Sequence, residues 1–165
     1  MKAIFLDRDG IINKDIGYIW KRKDFIWLPK VPEAIKYAKS MNYLVIVITN
    51  QAGVAKNLYT LKDVIELHKQ INNELKSNFN TKIDDFFICP HKNEDNCNCR
   101  KPKPGMIIEA IKKWNIDEID KSFLIGDKLI DIEAARAANV TGYLLNPDLT
   151  LYDFILKIME AYHER

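Results

Sequence analysis

Polar and charged residues stand after four short apolar runs in this sequence. The runs cover residues 3–6, 44–48, 86–88 and 123–125, and each has the length of one buried strand. If these strands lie parallel, their carboxyl ends meet at one rim, where ligands bind in open α/β sheets. The side chains gathered there would be Asp7, Asp9, Thr49, Lys101, Asp127 and Asp131.

This mixture of carboxylates, a hydroxyl and a cation suits phosphoryl transfer. Carboxylates from different strands can hold Mg²⁺, which prefers oxygen ligands and substrate phosphate. The metal neutralises charge, so that a carboxylate such as Asp7 can attack an anionic phosphoryl group. Thr49 and Lys101 would hold the equatorial oxygens, where charge spreads in the transition state. Asp9 is two residues from Asp7, so in extended backbone both carboxylates point the same way, and Asp9 can handle the leaving-group proton.

Each of these features also has a plain structural explanation. A single pair of aspartates is common in surface loops, Thr49-Asn50 could cap a helix, and Gly126-Asp127 could be an ordinary βα turn. The order of the features, and their placement after successive apolar runs, is much harder to obtain by chance. The pattern as a whole therefore favours a catalytic site.

Helical patterns alternate with the apolar runs. They cover residues 32–41, a stretch after a capping box formed by Thr60 and Asp63, a segment starting near Pro104, residues 129–138, and a last segment that Thr150 would cap. A weaker fifth strand is expected at residues 142–145. Continuous apolar strands that alternate with helices predict a Rossmann-like, doubly wound parallel sheet with helices on both faces. We expect one domain over residues 1–165, without room for a cap domain.

The motifs resemble the haloacid dehalogenase superfamily of phosphatases over roughly residues 3–146. The resemblance implies that Asp7 is the nucleophile and that Asp9 is the general acid and later the base. It implies magnesium ligands in Asp7, the Asp9 main-chain carbonyl and Asp127, with Asp131 in support.

The same resemblance implies that Thr49 and Lys101 clamp the phosphate. One departure is visible, because Ile11 stands where the superfamily has a threonine after the DxDG motif. The reaction does not depend on that hydroxyl.

A second cluster contains all three cysteines of the chain. Cys89, His91, Cys97 and Cys99 provide three thiolates and one imidazole, a four-ligand set suited to structural Zn²⁺. With no ligand position left open, this zinc would hold a loop rather than take part in catalysis. The alternatives are reduced surface thiols or a Cys97–Cys99 disulfide. The cations Arg100, Lys101 and Lys103 follow the last ligand, so a rigid loop would position them.

The cysteine segment narrows the resemblance to one branch of the superfamily, which holds heptose 1,7-bisphosphate 7-phosphatases and histidinol-phosphate phosphatases. The segments 15–18, 50–55, 103–106 and 126–129 resemble the heptose enzymes, whereas the short spacing from His91 to Cys97 resembles the histidinol branch. We expect the heptose activity, in lipopolysaccharide or capsule precursor synthesis. The residues expected to bind substrate are Asn50, Gln51, Arg100 and Lys128.

Composition sets the remaining expectations. With 25 Lys and Arg against 23 Asp and Glu, the net charge is +2, which does not favour a nucleic-acid or membrane-surface partner. The N-terminal apolar run is too short for a secretion signal, so we expect a cytoplasmic protein, and a monomer. A zinc-stabilised module without catalysis is the alternative from another class. His68 is expected to be an ordinary helix residue.

Overall fold

The computed structural model describes residues 1–163, without the side chain of His163, as a parallel sheet covered by helices. The strands are β1 (Lys2–Leu6), β2 (Tyr43–Asn50), β3 (Asp85–Cys89), β4 (Phe123–Gly126) and β5 (Thr141–Leu144). The helices are α1 (Val31–Ser40), α2 (Leu61–Phe79), α3 (Gly105–Trp114), α4 (Leu129–Ala137) and α5 (Leu151–His163).

The sheet has the strand order β3-β2-β1-β4-β5, and every neighbouring pair is parallel. The chain therefore winds outward from β1 to β3 and then returns to the other side of β1 for β4 and β5. This reversal creates a topological switch point between β1 and β4, where Leu6 lies opposite Ile125. Ligands in doubly wound sheets bind beyond the carboxyl ends of the strands at such a point.

Side chains of β1 alternate between two apolar cores, one on each face of the sheet. Ile4 and Leu6 pack into a core that α1, α2 and α5 cover, and Ala3 and Phe5 pack into a core that α3 and α4 cover. Burial on both faces explains why the central strands are continuously apolar. The predicted fold class is confirmed.

The element ends follow the local sequence signals closely. The Thr60 hydroxyl accepts a hydrogen bond from the Asp63 N–H, and Asp63 accepts one from the Thr60 N–H, which is the predicted capping box. Thr150 caps α5 through the Asp153 N–H. The apolar pattern of the segment after Pro104 predicts that Ile107 and Ile108 both face inward, and for Ile108 this is wrong. Ile108 is 44% exposed, because successive helical residues are roughly 100° apart and Ile107 takes the inward position. Among the described residues no helix is long and apolar enough to cross a membrane.

Candidate active site

Three carboxylates meet at the switch point beyond β1 and β4. One oxygen each of Asp7, Asp127 and Asp131 lies within 4.8 Å of the others. Asp7 follows β1 directly, and its N–H donates to the carbonyl of Ile125 in β4, which fixes it beside Asp127. Asp131 lies in the first turn of α4 and accepts a hydrogen bond from the Lys128 N–H through Oδ2.

Two glycines allow these carboxylates to approach the backbone. Gly10 has φ +89°, and a Cβ placed there would lie 2.1 Å from Oδ2 of Asp127. A Cβ on Gly126 would lie 2.3 Å from Cβ of Asp131. Both distances are far shorter than a van der Waals contact, so any larger residue at either position would displace a carboxylate of the cluster.

One buried lysine faces the cluster. Lys101 Nζ lies 2.7 Å from Oδ1 of Asp7 and 2.7 Å from Oδ1 of Asp131, and it also donates to the carbonyl of Ile48. Burial by itself lowers the pKa of Lys101, but the charges of Asp7 and Asp131 outweigh burial and hold this pKa above its ordinary value. Lys101 is therefore charged and shared between two carboxylates.

The three carboxylates of the cluster outnumber the one ammonium, that of Lys101, that contacts them. Burial raises the pKa of Asp7 to about 7, although the Lys101 ammonium opposes the shift, and the charge of Asp131 adds to it. Burial also raises the pKa of Asp127. Three converging carboxylates, of which two contact the ammonium of Lys101, form a donor set of hard oxygens, which fits a divalent cation such as Mg²⁺.

The predicted phosphate clamp comes from β2 and from the segment after the cysteines. Thr49 is buried at the end of β2. The Asn50 side chain accepts a hydrogen bond from the Lys101 N–H at 3.0 Å and donates to the Lys101 carbonyl at 3.2 Å. Asn50 thus holds the backbone of Lys101 against β2. Each polar end of the Asn50 amide makes one of these bonds, so Asn50 helps to position the lysine, and its predicted contact with substrate stays a prediction.

Asp9 points toward a different set of partners. The backbone bends at Arg8, so the extended conformation that was expected across Asp7 and Asp9 was wrong. Asp9 Oδ1 accepts hydrogen bonds from Arg8 and from Asn13 Nδ2, and Oδ2 accepts one from Gln51 Nε2 at 3.1 Å. The Asp9 carboxylate is held firmly beside the acidic cluster rather than within it.

Gln51 is buried beneath the site. Its Nε2 donates to Thr49 Oγ1 at 2.8 Å as well as to Asp9, and its Oε1 accepts a hydrogen bond from the Tyr59 hydroxyl at 2.7 Å. Tyr59 therefore sets the orientation of the Gln51 amide, which links the predicted clamp to the predicted acid. Only 3% of Gln51 is exposed, so it contacts Thr49 and Asp9 from the buried side of the site. Its predicted contact with substrate stays a prediction.

Sequence reasoning missed the residues that support Asp9: Arg8, Asn13, Tyr59 and His68. Arg8 is fully buried although it stands at the end of a strand, and His68 is buried on the inner face of α2. A signal was present for His68, because it shares the helical spacing of Val64, Ile71 and Leu75. The prediction that His68 is an ordinary helix residue overlooked a polar group on that apolar stripe.

The four predicted zinc ligands converge in the loop after β3. One ligand atom each of Cys89, His91, Cys97 and Cys99 lies within 4.8 Å of the others. All three cysteines are free in this structure, without a Cys97–Cys99 disulfide. The Arg100 N–H donates to Cys97 Sγ at 3.4 Å. This donor set of three sulfurs and one nitrogen fits tetrahedral Zn²⁺.

The remaining predicted cations stand at the rim. The Arg100 guanidinium donates to Asn93 Oδ1 and to the carbonyl of His91, which fastens it to the cysteine loop. Lys128 Nζ is exposed and lies 3.7 Å from Oδ2 of Asp15, which is in the loop after β1.

Ile11, the departure from the superfamily motif, is fully buried in a core.

Known proteins match nearly the whole chain. The family model described as polynucleotide kinase 3 phosphatase matches residues 3–141. A D-glycero-beta-D-manno-heptose-1,7-bisphosphate 7-phosphatase of Helicobacter pylori is 42% identical over 157 residues, which are 93% of this chain and 90% of that protein. A D-glycero-alpha-D-manno-heptose-1,7-bisphosphate 7-phosphatase of Photorhabdus laumondii is 42% identical over 85% of this chain and 79% of its own length.

Solved structures agree with these matches. The D,D-heptose 1,7-bisphosphate phosphatase of B. bronchiseptica, solved with magnesium and phosphate, superposes with a TM-score of 0.86. It is 28% identical, and the match covers 98% of this chain and 99% of that structure. The expected resemblance is thus confirmed from both sequence and fold. The chain belongs to the polynucleotide kinase 3 phosphatase family, within the haloacid dehalogenase superfamily.

Proposed function

We propose that this chain, acting as a single domain, is a phosphatase that removes the C7 phosphate of D-glycero-D-manno-heptose 1,7-bisphosphate through a phospho-aspartate on Asp7. The observation that carries the proposal is the shared ion pair of Lys101 with Asp7 and Asp131 at the switch point. It puts a carboxylate and a phosphate-binding cation side by side. The relatives named above support the choice of substrate, and they favour it over histidinol phosphate.

The first half-reaction forms the phospho-enzyme. A carboxylate oxygen of Asp7 attacks phosphorus, and the bond from phosphorus to the O7 oxygen of the sugar breaks. Lys101 and the Thr49 hydroxyl hold the equatorial oxygens during the attack. Asp9 gives a proton to the departing sugar oxygen, which would otherwise leave as a poor alkoxide.

The second half-reaction frees the enzyme. Asp9, now a carboxylate, takes a proton from water, and that water attacks the phosphorus of the Asp7 acyl phosphate. The bond from phosphorus to the Asp7 oxygen breaks, and inorganic phosphate leaves. The hydrogen bonds from Arg8, Asn13 and Gln51 keep Asp9 oriented through both steps.

Asp7, the Asp9 carbonyl and Asp127 would hold Mg²⁺, and Asp131 would support the site through Lys101. When bound, Mg²⁺ supplies positive charge that lets one anion approach another. Zn²⁺ would be held by Cys89, His91, Cys97 and Cys99. These four ligands leave no coordination position open, so the zinc would have a structural role. The complete set of acid, metal ligands and cation argues against a binding module without catalysis.

Arg100 and Lys128 are the cations available for the second phosphate of a bisphosphate. Both stand at the rim, one on the cysteine loop and one before α4. Asn50 and Gln51 would act indirectly, since their amides are bonded to Lys101 and Asp9. Arg100 and Lys128 are thus proposed to contact substrate directly, which narrows the expectation from the sequence that all four residues do so.

The proposal also includes a cellular compartment and an oligomeric state. A cluster of three free cysteines that serves a metal suits a reducing compartment, which supports a cytoplasmic enzyme. We further propose that it works as a monomer on a small sugar phosphate, without nucleic acid or membrane.

A substrate panel tests the proposal. Phosphate release is measured with the alpha and beta anomers of heptose 1,7-bisphosphate and with histidinol phosphate, each with and without Mg²⁺. We expect Mg²⁺-dependent release from a heptose bisphosphate at a kcat/KM at least about 10⁴ M⁻¹s⁻¹. Turnover of histidinol phosphate with inert heptose bisphosphates would overturn the substrate assignment.

A further inference from the structure

A fully buried guanidinium stands behind Asp9. Arg8 has no exposed surface, and each of its nitrogens contacts a partner. Nε and Nη2 donate to Asp9 Oδ1 at 3.2 and 2.9 Å, and Nη2 also donates to the carbonyl of Ile19 at 2.7 Å. Nη1 lies 3.3 Å from Nε2 of His68. A buried charge of this kind is tolerated only when its donors are paired.

The contact with His68 has a defined direction. A guanidinium has no acceptor, so His68 Nε2 must accept the hydrogen bond and the imidazole must be neutral, with its proton on Nδ1. Burial lowers the pKa of His68 well below its ordinary value, and the Arg8 charge lowers it further, which agrees with a neutral ring. The ring stacks on Phe86 with centroids 4.3 Å apart. Within residues 1–163, Nδ1 has no hydrogen-bond partner.

We propose that His68 is a positioning residue for the acid and base Asp9, acting through the guanidinium of Arg8. The inference rests on the proposed role of Asp9. His68 fixes one end of the guanidinium and Ile19 fixes another, so that the remaining donors meet Asp9 Oδ1 at one angle. Without an acceptor at position 68, a buried N–H of Arg8 loses its partner, and the group turns or admits water. Asp9 then loses its orientation, and proton transfer slows.

A comparison of two leaving groups distinguishes the loss of proton transfer from a loss of stability, because a loss of stability alone does not change the ratio of the two rates. An alkyl phosphate such as the sugar substrate needs a proton on its leaving oxygen. The second substrate, p-nitrophenyl phosphate, does not, because p-nitrophenolate leaves without a proton. Phospho-enzyme formation is therefore compared for the two substrates by rapid quench. The variants are His68→Leu, which removes the acceptor, and His68→Gln, which keeps one. Leu67→Ala, a buried residue of the same helix, is the destabilising control.

We expect His68→Leu to slow phospho-enzyme formation from the alkyl phosphate about 10-fold or more, while the p-nitrophenolate burst stays unchanged. His68→Gln should restore most of the rate. Leu67→Ala should lower the melting temperature and leave the ratio of the two rates intact. Equal rate losses with both substrates, or none with either, would overturn the proposal.

Variants of Arg8 and Asp9 show which part of the proposal a given result supports. Arg8→Lys removes the planar guanidinium that joins His68 to Asp9, so adding His68→Leu to it should cause no further loss, and an additional loss would contradict the proposed route. Arg8→Lys alone should show the same selective loss on the alkyl phosphate, and it replaces His68→Leu in the test if that variant fails to fold. Asp9→Asn must itself lose activity on the alkyl phosphate. If Asp9→Asn is active, the proposed role of Asp9 fails; if it is inactive while His68→Leu behaves as wild type, only the present inference fails.

Discussion

The ammonium of Lys101 lies 2.7 Å from the carboxylate of Asp7, and both groups are buried. Lys101 also pairs with Asp131 at the same distance. Replacing Lys101 with methionine leaves two buried carboxylates without their cation, and we expect a loss of about 3–5 kcal/mol of stability together with turnover. Thermal and urea unfolding without added Mg²⁺ measure the first effect, and phosphate release measures the second.

The effects of Lys101 on stability and on turnover should separate when the charge of Asp131 is also removed. Lys101→Met combined with Asp131→Asn leaves one carboxylate fewer to compensate, so the double variant should regain part of the stability and none of the turnover. If turnover returned with stability, Lys101 would have a structural role alone.

The Gly10 position offers a test of the close approach between the first loop and Asp127. Gly10→Ala places a Cβ 2.1 Å from the Asp127 carboxylate at a φ of +89°. Gly17→Ala is a matched control, because Gly17 has φ +111° and nothing lies within 4 Å of its added Cβ. Both variants should cost about 1–2 kcal/mol from the backbone conformation. Only Gly10→Ala should also reduce kcat and weaken Mg²⁺ dependence; equal kinetics in the two variants would contradict the steric argument.

Asp127 should control the metal requirement. Asp127→Asn removes one charge from a cluster that already lacks cations, so we expect the Mg²⁺ concentration for half-maximal activity to rise about 10-fold or more. Asp148→Asn provides the comparison, since Asp148 is exposed and borders the same cavity as Asp127. An unchanged Mg²⁺ requirement in Asp127→Asn would exclude Asp127 as a ligand.

The cysteine loop should carry zinc and hold Lys101 in place. Elemental analysis of the purified wild-type protein should find about one zinc per chain, because the four donors form a closed tetrahedral set. Cys99→Ser should lose the metal and lower the melting temperature by at least about 2–4 °C, the shift expected for 1 kcal/mol in a chain of this size. A wild-type protein with far less than one zinc per chain would contradict this assignment.

Much of the fold follows from local patterns. The runs around Phe5, Ile46 and Leu124 are apolar at every position because both faces of the sheet are covered, and that continuity identifies parallel strands. Strand order does not follow from such patterns, because it depends on which faces the helices cover. The carboxylates of the site could be predicted from the sequence, because Asp7 and Asp127 each follow an apolar run. The two runs form strands that are neighbours in the sheet.

The supporting residues were harder to predict. Asn50 and Gln51 follow Thr49 in the sequence, so a contact with substrate was the natural expectation, and it stays a prediction. The hydrogen bonds of their side chains to Lys101 and Asp9 were not foreseen. The direction of an amide depends on tertiary partners such as Tyr59, which lies eight residues away and across a loop. His68 is farther still, 60 residues from Arg8. Long-range pairs of this kind leave no local spacing signal.

The phospho-enzyme is the most direct test of the account. Wild-type protein is mixed with heptose 1,7-bisphosphate and Mg²⁺, quenched in acid within the first turnover, and digested for mass spectrometry. We expect one phosphoryl group on the peptide that contains Asp7, and less of it in Asp9→Asn, because the departing sugar oxygen then lacks its proton donor. Asp7→Asn should fold normally, carry no phosphoryl group and release no phosphate. Near-normal phosphate release by Asp7→Asn, or a phosphoryl group on another residue, would contradict the mechanism.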